Sequence, residues 1–222
     1  MDEGCPDYHQ KRQEGVTLSL RRNFAWMLVS KACLITATLF TGALINRSLG
    51  PFNRGIFAET QTWVMLFTVI FGIGMQTAIY HFANKTLYNY DDKTRFTTVF
   101  LLSLVYSIVA ASVLTLCVRY WPERFSSSSS NYLMLLNALI IAAMLTANLT
   151  VFLQAIGNIK LSALIGITQG LLNFMIIGYG YLFRIIVVMF VVARLLIIEL
   201  VSLAVLFIIF LKKKLIFGSF SL

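Results

Sequence analysis

Three ionisable residues lie inside long apolar runs: Lys31, Arg194 and Glu199. A charge within a bilayer-spanning segment costs about 2.5–3.5 kcal/mol on insertion scales, so such groups usually face a bundle interior or a water-filled path. Their chemistry is recognition and ion handling. A cation in a low-dielectric cavity attracts a phosphate strongly, and a deep carboxylate can serve a coupling ion or proton. Arg194 and Glu199 are five residues apart. At about 100° per helical residue they point about 140° away from each other, which argues against an ion pair on one helix face. At least one therefore looks toward another helix. Lys31, near the start of its run, either snorkels to the interface or faces inward.

Uncharged polar residues repeat along the same runs. The first run carries Lys31, Thr38, Thr41 and Gly42, the second Gln61, Thr68, Gly72 and Gln76, and the fourth Asn137 and Asn148 on nearly one face. Such stripes line cavities or serve as helix–helix glue. Gly166 and Gly170 form a GxxxG, read as packing. Asn148-Leu-Thr150 matches a glycosylation sequon but lies within a run. Gly72-Ile-Gly74 reads as a flexing or packing feature rather than a nucleotide fingerprint. Cys5, Cys33 and Cys117 form no CxxC, and His9 and His81 are isolated. No paired carboxylate, Ser-His-Asp set, HExxH or phosphate loop supports an enzyme. No metal and no cofactor are expected.

Long apolar elements must position these groups. Of the 222 residues 59% are hydrophobic and 12% charged, and the mean hydropathy is +0.82. This departs from soluble domains in the membrane direction. Six helical spans are expected at roughly 24–46, 57–83, 96–118, 132–155, 162–182 and 185–211. The runs are too long and too uniformly apolar for barrel strands. The break between the last two rests on Gly178, Gly180 and Arg184. One long tilted span with a re-entrant piece is the alternative. Residues 1–22 read as a polar cytoplasmic arm rather than a signal peptide, residues 23–211 as the transmembrane unit and 212–222 as a basic tail.

The net charge of +9 is juxtamembrane in distribution, so no nucleic-acid partner is expected. With the N-terminus inside, the inner segments hold Lys11, Arg12, Arg21, Arg22, Lys31, Lys85, Lys93, Arg95, Lys160 and Lys212–Lys214. The outer ones hold Arg47, Arg54, Arg119, Arg124 and Arg184. Both termini are thus expected in the cytoplasm.

The segment INRSLGPFNRGIF, from Ile45 to Phe57, supplies Arg47, Leu49, Gly50, Pro51 and Gly55 in an Arg-x-Leu-Gly-Pro-x-x-x-Gly run. Gly72-Ile-Gly74-Met-Gln76 and the link FLQAIGNIKLSALIGITQGLLN, Phe152 to Asn173, add to the pattern. Over about residues 23–211 the chain resembles bacterial polysaccharide repeat-unit flippases of the O-antigen and capsule type. These belong to the multidrug/oligosaccharidyl-lipid/polysaccharide exporter superfamily. The resemblance implies one six-helix lobe of a two-lobed MATE-like fold in the bacterial inner membrane. It implies translocation of an undecaprenyl-pyrophosphate-linked oligosaccharide. Its partners would be that lipid-linked cargo, membrane lipids, a second lobe or a second copy, and polysaccharide polymerase machinery. On that reading Arg47, Arg194, Lys31, Gln61, Gln76 and Asn148 are candidates for the substrate path and Glu199 for coupling. Family members usually have twelve to fourteen spans, so six suggest a fragment, a truncated reading frame or half of a homodimer. The alternatives are an ion- or proton-coupled small-molecule exporter of the same superfamily, and a non-transporting envelope scaffold or remnant.

Overall fold

The computed structural model describes residues 6–83, 92–121 and 130–212, with side chains at 24–83, 93–121 and 132–212. Cys5, Lys85, Arg124, Ser126–Ser129, Lys213 and Lys214 lie outside the described residues. So do the side chains of His9, Lys11, Arg12, Arg21 and Arg22.

The described elements are six helices. They are α1 (Pro6–Gly72), α2 (Met75–Ala83), α3 (Asp92–Tyr120), α4 (Ser130–Ala155), α5 (Ile159–Leu182) and α6 (Val188–Lys212). Five are long and apolar enough to cross a membrane, namely Phe24–Gly72 of α1 and most of α3, α4, α5 and α6. They mark a membrane-embedded, all-helical protein. Helices suit that setting because each satisfies its own backbone without water. Hydroxyls do likewise by bonding back one turn: Thr38 to Leu34 O at 2.8 Å, Thr68 to Val64 O at 2.7 Å and Ser202 to Ile198 O at 2.7 Å.

The 49-residue segment Phe24–Gly72 of α1 corresponds to about 74 Å of helix, more than twice a hydrocarbon core of about 30 Å. The helix does not run straight. Gly50 takes φ 69° and ψ 170° in its middle, just before Pro51. That backbone region is essentially reserved for glycine, and proline suits the first turn of the segment that follows.

Side-chain pairings give the direction of each part. Before Gly50, α1 climbs alongside α5. Lys160 lies over Trp26, Gly166 faces Ser30, Gly170 faces Leu34 and Ala37, and Phe40 meets Phe174 edge-on. After Gly50, α1 and then α2 run alongside α4. Thr60 bonds Tyr132, Phe67 packs with Leu136, Ile140 and Met144, and Tyr80 bonds Gln154. Because α4 and α5 are joined by the short turn at Gly157 (φ 86°), they run antiparallel. The two parts of α1 therefore run in opposite directions. Helix α4 packs against each of the others, which makes it the central element.

Several sequence expectations shift at their edges. The expected arm continues helically from Pro6 into α1. The second expected span is interrupted at Ile73–Gly74, where Gly74 has φ 78°. The third begins at Asp92, so Lys93 and Arg95 belong to α3 rather than to a loop. The chain between α5 and α6 does break at Phe183–Val187.

Three apolar clusters close the bundle, counting the one around Phe67, Leu136, Ile140 and Met144. Another joins Ile45, Leu49, Phe57, Leu139, Ile177, Val191 and Val192. The third joins Ile79, Phe96, Leu149, Phe152, Leu206 and Phe210. In the third, the Phe96 and Phe210 ring centroids are 4.5 Å apart.

Candidate functional site

Several polar side chains are buried within the bundle. Arg194 is 3% exposed and Asn148 3% exposed. The Nε and Nη1 of Arg194, Nδ2 of Asn148, Oδ1 of Asn173, Oγ of Ser103 and Oε2 of Glu199 are buried without a hydrogen-bond partner. Arg194 shares its stripe of α6 with Val191, Ile198 and Ser202. Glu199 lies off that stripe, facing Thr146 of α4, whose hydroxyl donates to the Ala142 carbonyl at 2.8 Å. Unpaired polar atoms in such a place are costly.

A second polar place opens at the Trp26 end of the α1–α5 pair. A cleft of about 130 Å³ is lined by Met27, Ser30, Lys31 and Leu34 of α1, Thr150 and Gln154 of α4, and Ser162, Ala163, Gly166 and Gln169 of α5. Its wall is ordered by a relay centred on Gln154. Tyr80 donates to Gln154 Oε1 at 2.8 Å, and Gln154 Nε2 donates to Ser162 Oγ at 2.7 Å. This fixes the orientation of the amide. Gly166, lacking Cβ, leaves room for the Ser30 hydroxyl. Lys31, an exposed member of the lining, brings an ammonium with three donors. That set is suited to an oxyanion or to sugar hydroxyls. The volume is below the roughly 300–1,000 Å³ of sites for drug-sized ligands, so the cleft suits one headgroup-sized moiety.

The predicted residues thus fall in separate places. Lys31 lines the cleft, and Arg194, Asn148 and Glu199 lie in the buried polar region. Arg47, Gln61 and Gln76 are exposed. Arg47 is 16 residues beyond Lys31, about 24 Å along the helix axis, so the two do not form one cluster. Asn137 is glue: its Nδ2 donates to Thr115 Oγ1 of α3 at 2.8 Å. The Gly166 and Gly170 pair packs against α1, as its motif suggests.

Sequence reasoning missed three groups. Gln154 and Ser162 flank the Gly157 turn, and only the Gln-Ala-x-Gly link hinted at them. Arg95, 1% exposed, donates Nη1 to the Ala83 carbonyl at the end of α2 at 3.3 Å. There its charge also favours the helix C-terminus. Its position beside Lys93 in a polar stretch gave no such signal. Arg184 is the third, treated below.

No protein-family model, curated protein or solved structure compared with this chain matches it.

Proposed function

We propose that this protein is a membrane translocator of lipid-linked oligosaccharide, acting as one lobe of a two-lobed assembly. The observation that carries the reading is that Lys31, an exposed residue, lines a cleft between α1, α4 and α5 together with Ser30, Thr150, Gln154, Ser162 and Gln169. A pyrophosphate or sugar needs such a lined path, while its lipid tail stays in the bilayer. On this reading the two opposed halves of α1 count as separate spans, with the Arg-x-Leu-Gly-Pro segment at the reversal between them. In this reading the polar region at Arg194 and Asn148 is the next station. The exposed Gln61, Gln76 and Arg47 face a second lobe, supplied by another copy or another chain. The membrane is the bacterial inner membrane, with the Lys31 end cytoplasmic.

The test is translocation of a fluorescent undecaprenyl-pyrophosphate oligosaccharide across proteoliposomes, scored by its accessibility to an external quencher. The purified chain should accelerate exchange over empty vesicles, and Lys31→Gln should lower the rate more than Lys31→Arg. Exchange no faster than in empty vesicles at any protein density would sink the proposal. A native mass of the same preparation shows whether activity tracks a dimer.

Glu199 supports a second reading, a proton- or ion-coupled exporter of small molecules. That reading requires uptake to follow an imposed ion gradient and to vanish in Glu199→Gln.

A further inference from the structure

The turn between α5 and α6 ends α5 in an unusual way. Ile185 N donates to Gly180 O at 3.0 Å and Arg184 N to Tyr181 O at 3.3 Å. This pair of bonds is the Schellman motif, whose left-handed position ordinarily carries glycine. Here Arg184 occupies it with φ 55°, and it is the one non-glycine positive φ among the described residues. A strained side-chain-bearing residue marks a place to ask what the side chain does.

An open surface pocket of about 470 Å³ lies at this turn, lined among the described residues by the exposed Ser48 of α1, Tyr181 and Leu182 of α5, and Arg184, and by the buried Ile186. Its size falls within the roughly 300–1,000 Å³ of ligand sites. Its polar groups are a guanidinium, a phenol and the Ser48 hydroxyl, which in this structure donates to Leu44 O at 2.8 Å. Leu182 and Ile186 supply an apolar wall. Tyr179 and Phe183 pair beside the turn with centroids 4.5 Å apart, both exposed. Aromatics of this kind collect at the headgroup level of a bilayer. Arg47 precedes Ser48 directly and adds positive charge nearby.

We infer that the Arg184–Tyr181–Ser48 pocket is a binding site for a phosphate-type oxyanion at the membrane interface. The planar guanidinium fork matches two oxygens of such a group, and the phenol adds a third donor. A glycine would terminate α5 at less conformational cost, so this turn carries a guanidinium where its backbone alone would favour glycine. The site lies at the end of the α1–α5 pair opposite the Lys31 cleft, and the inference does not depend on what that cleft carries.

The test uses the full chain in phosphatidylcholine nanodiscs, in a Lys31→Gln background so that the cleft does not contribute. Calorimetric titration with inorganic pyrophosphate probes a soluble or cargo-borne anion, and titration with short-chain phosphatidic acid probes a lipid headgroup. Saturable binding of either probe, weakened on the order of tenfold or more by Arg184→Gly, supports the site and identifies its source. Arg184→Gly should fold at least as well, because glycine fits the turn. Arg184→Asn, which also tolerates the left-handed backbone, is the companion variant. Binding of neither probe, or unchanged affinity in both variants, overturns the inference.

Discussion

Ser30 of α1 occupies the space that a side chain at Gly166 of α5 would need: a Cβ built there falls 2.5 Å from Ser30 Oγ and 3.9 Å from its Cβ. The hydroxyl can rotate away, so Gly166→Ala should cost about 1 kcal/mol, whereas Gly166→Val should cost about 3. At Gly170 a Cβ meets Leu34, Ala37 and Cys33 at 3.5–3.7 Å, an ordinary contact distance. Gly170→Ala should be accepted. Thermal unfolding in a mild detergent measures the series, and equal midpoints throughout would show that the α1–α5 pair is not packed this way.

Gly50 and Gly157 are expected to resist substitution for a backbone reason, since neither has a neighbour within 4 Å of a built Cβ. Their positive φ values alone should make alanine cost about 1–3 kcal/mol. Gly42, equally open but with no positive φ, is the control and should tolerate alanine. If all three behave alike, the reversal of α1 does not depend on Gly50.

Arg194→Met should raise the unfolding midpoint and lower translocation together. It replaces a buried guanidinium having two unpartnered nitrogens with an apolar chain of similar length, a change that is often neutral or stabilising. A fall in stability would mean that the charge is structurally satisfied, and the polar region would lose its claim to be a station.

Asn137 and Asn148 share a face of α4 but should respond differently. Asn137→Ala removes the bond to Thr115 and should cost about 0.6–1.7 kcal/mol, the range of interhelical hydrogen bonds in membranes. Asn148→Leu removes a buried Nδ2 that has no partner, and should leave stability unchanged or improved. Reversible unfolding in bilayers compares them. Translocation should fall only with Asn148.

Fold class was legible because apolar length is a one-dimensional property. The runs of α3 to α6 stand close to where hydropathy puts them, and Gly50, Gly74 and Gly157 carry the backbone reasons for their breaks. The sites were less legible. Asn137 and Asn148 look alike in sequence, yet one faces Thr115 and the other has an unpaired amide nitrogen. Gln61 and Gln76 sit in an expected polar stripe, yet both are exposed. Arg95 seemed an ordinary loop cation, but a neighbouring helix end buries it. Which neighbour a side chain meets depends on how distant helices pack, and helix periodicity alone does not encode that.

The side-by-side run of the first part of α1 with α5 has a consequence for biogenesis. Trp26 and Lys160, which meet at one end of that seam, are separated by roughly 130 residues, so the pairing has a high contact order and forms late. The opening helical hairpin enters the membrane long before its partner has been synthesised. Until α5 arrives, Ser30 and Lys31 must be shielded by lipid headgroups or by an insertion factor. The α1–α5 seam thus closes well after the first hairpin has formed, with α6 packing onto both helices later still, and until then it is open to exchange between copies during assembly.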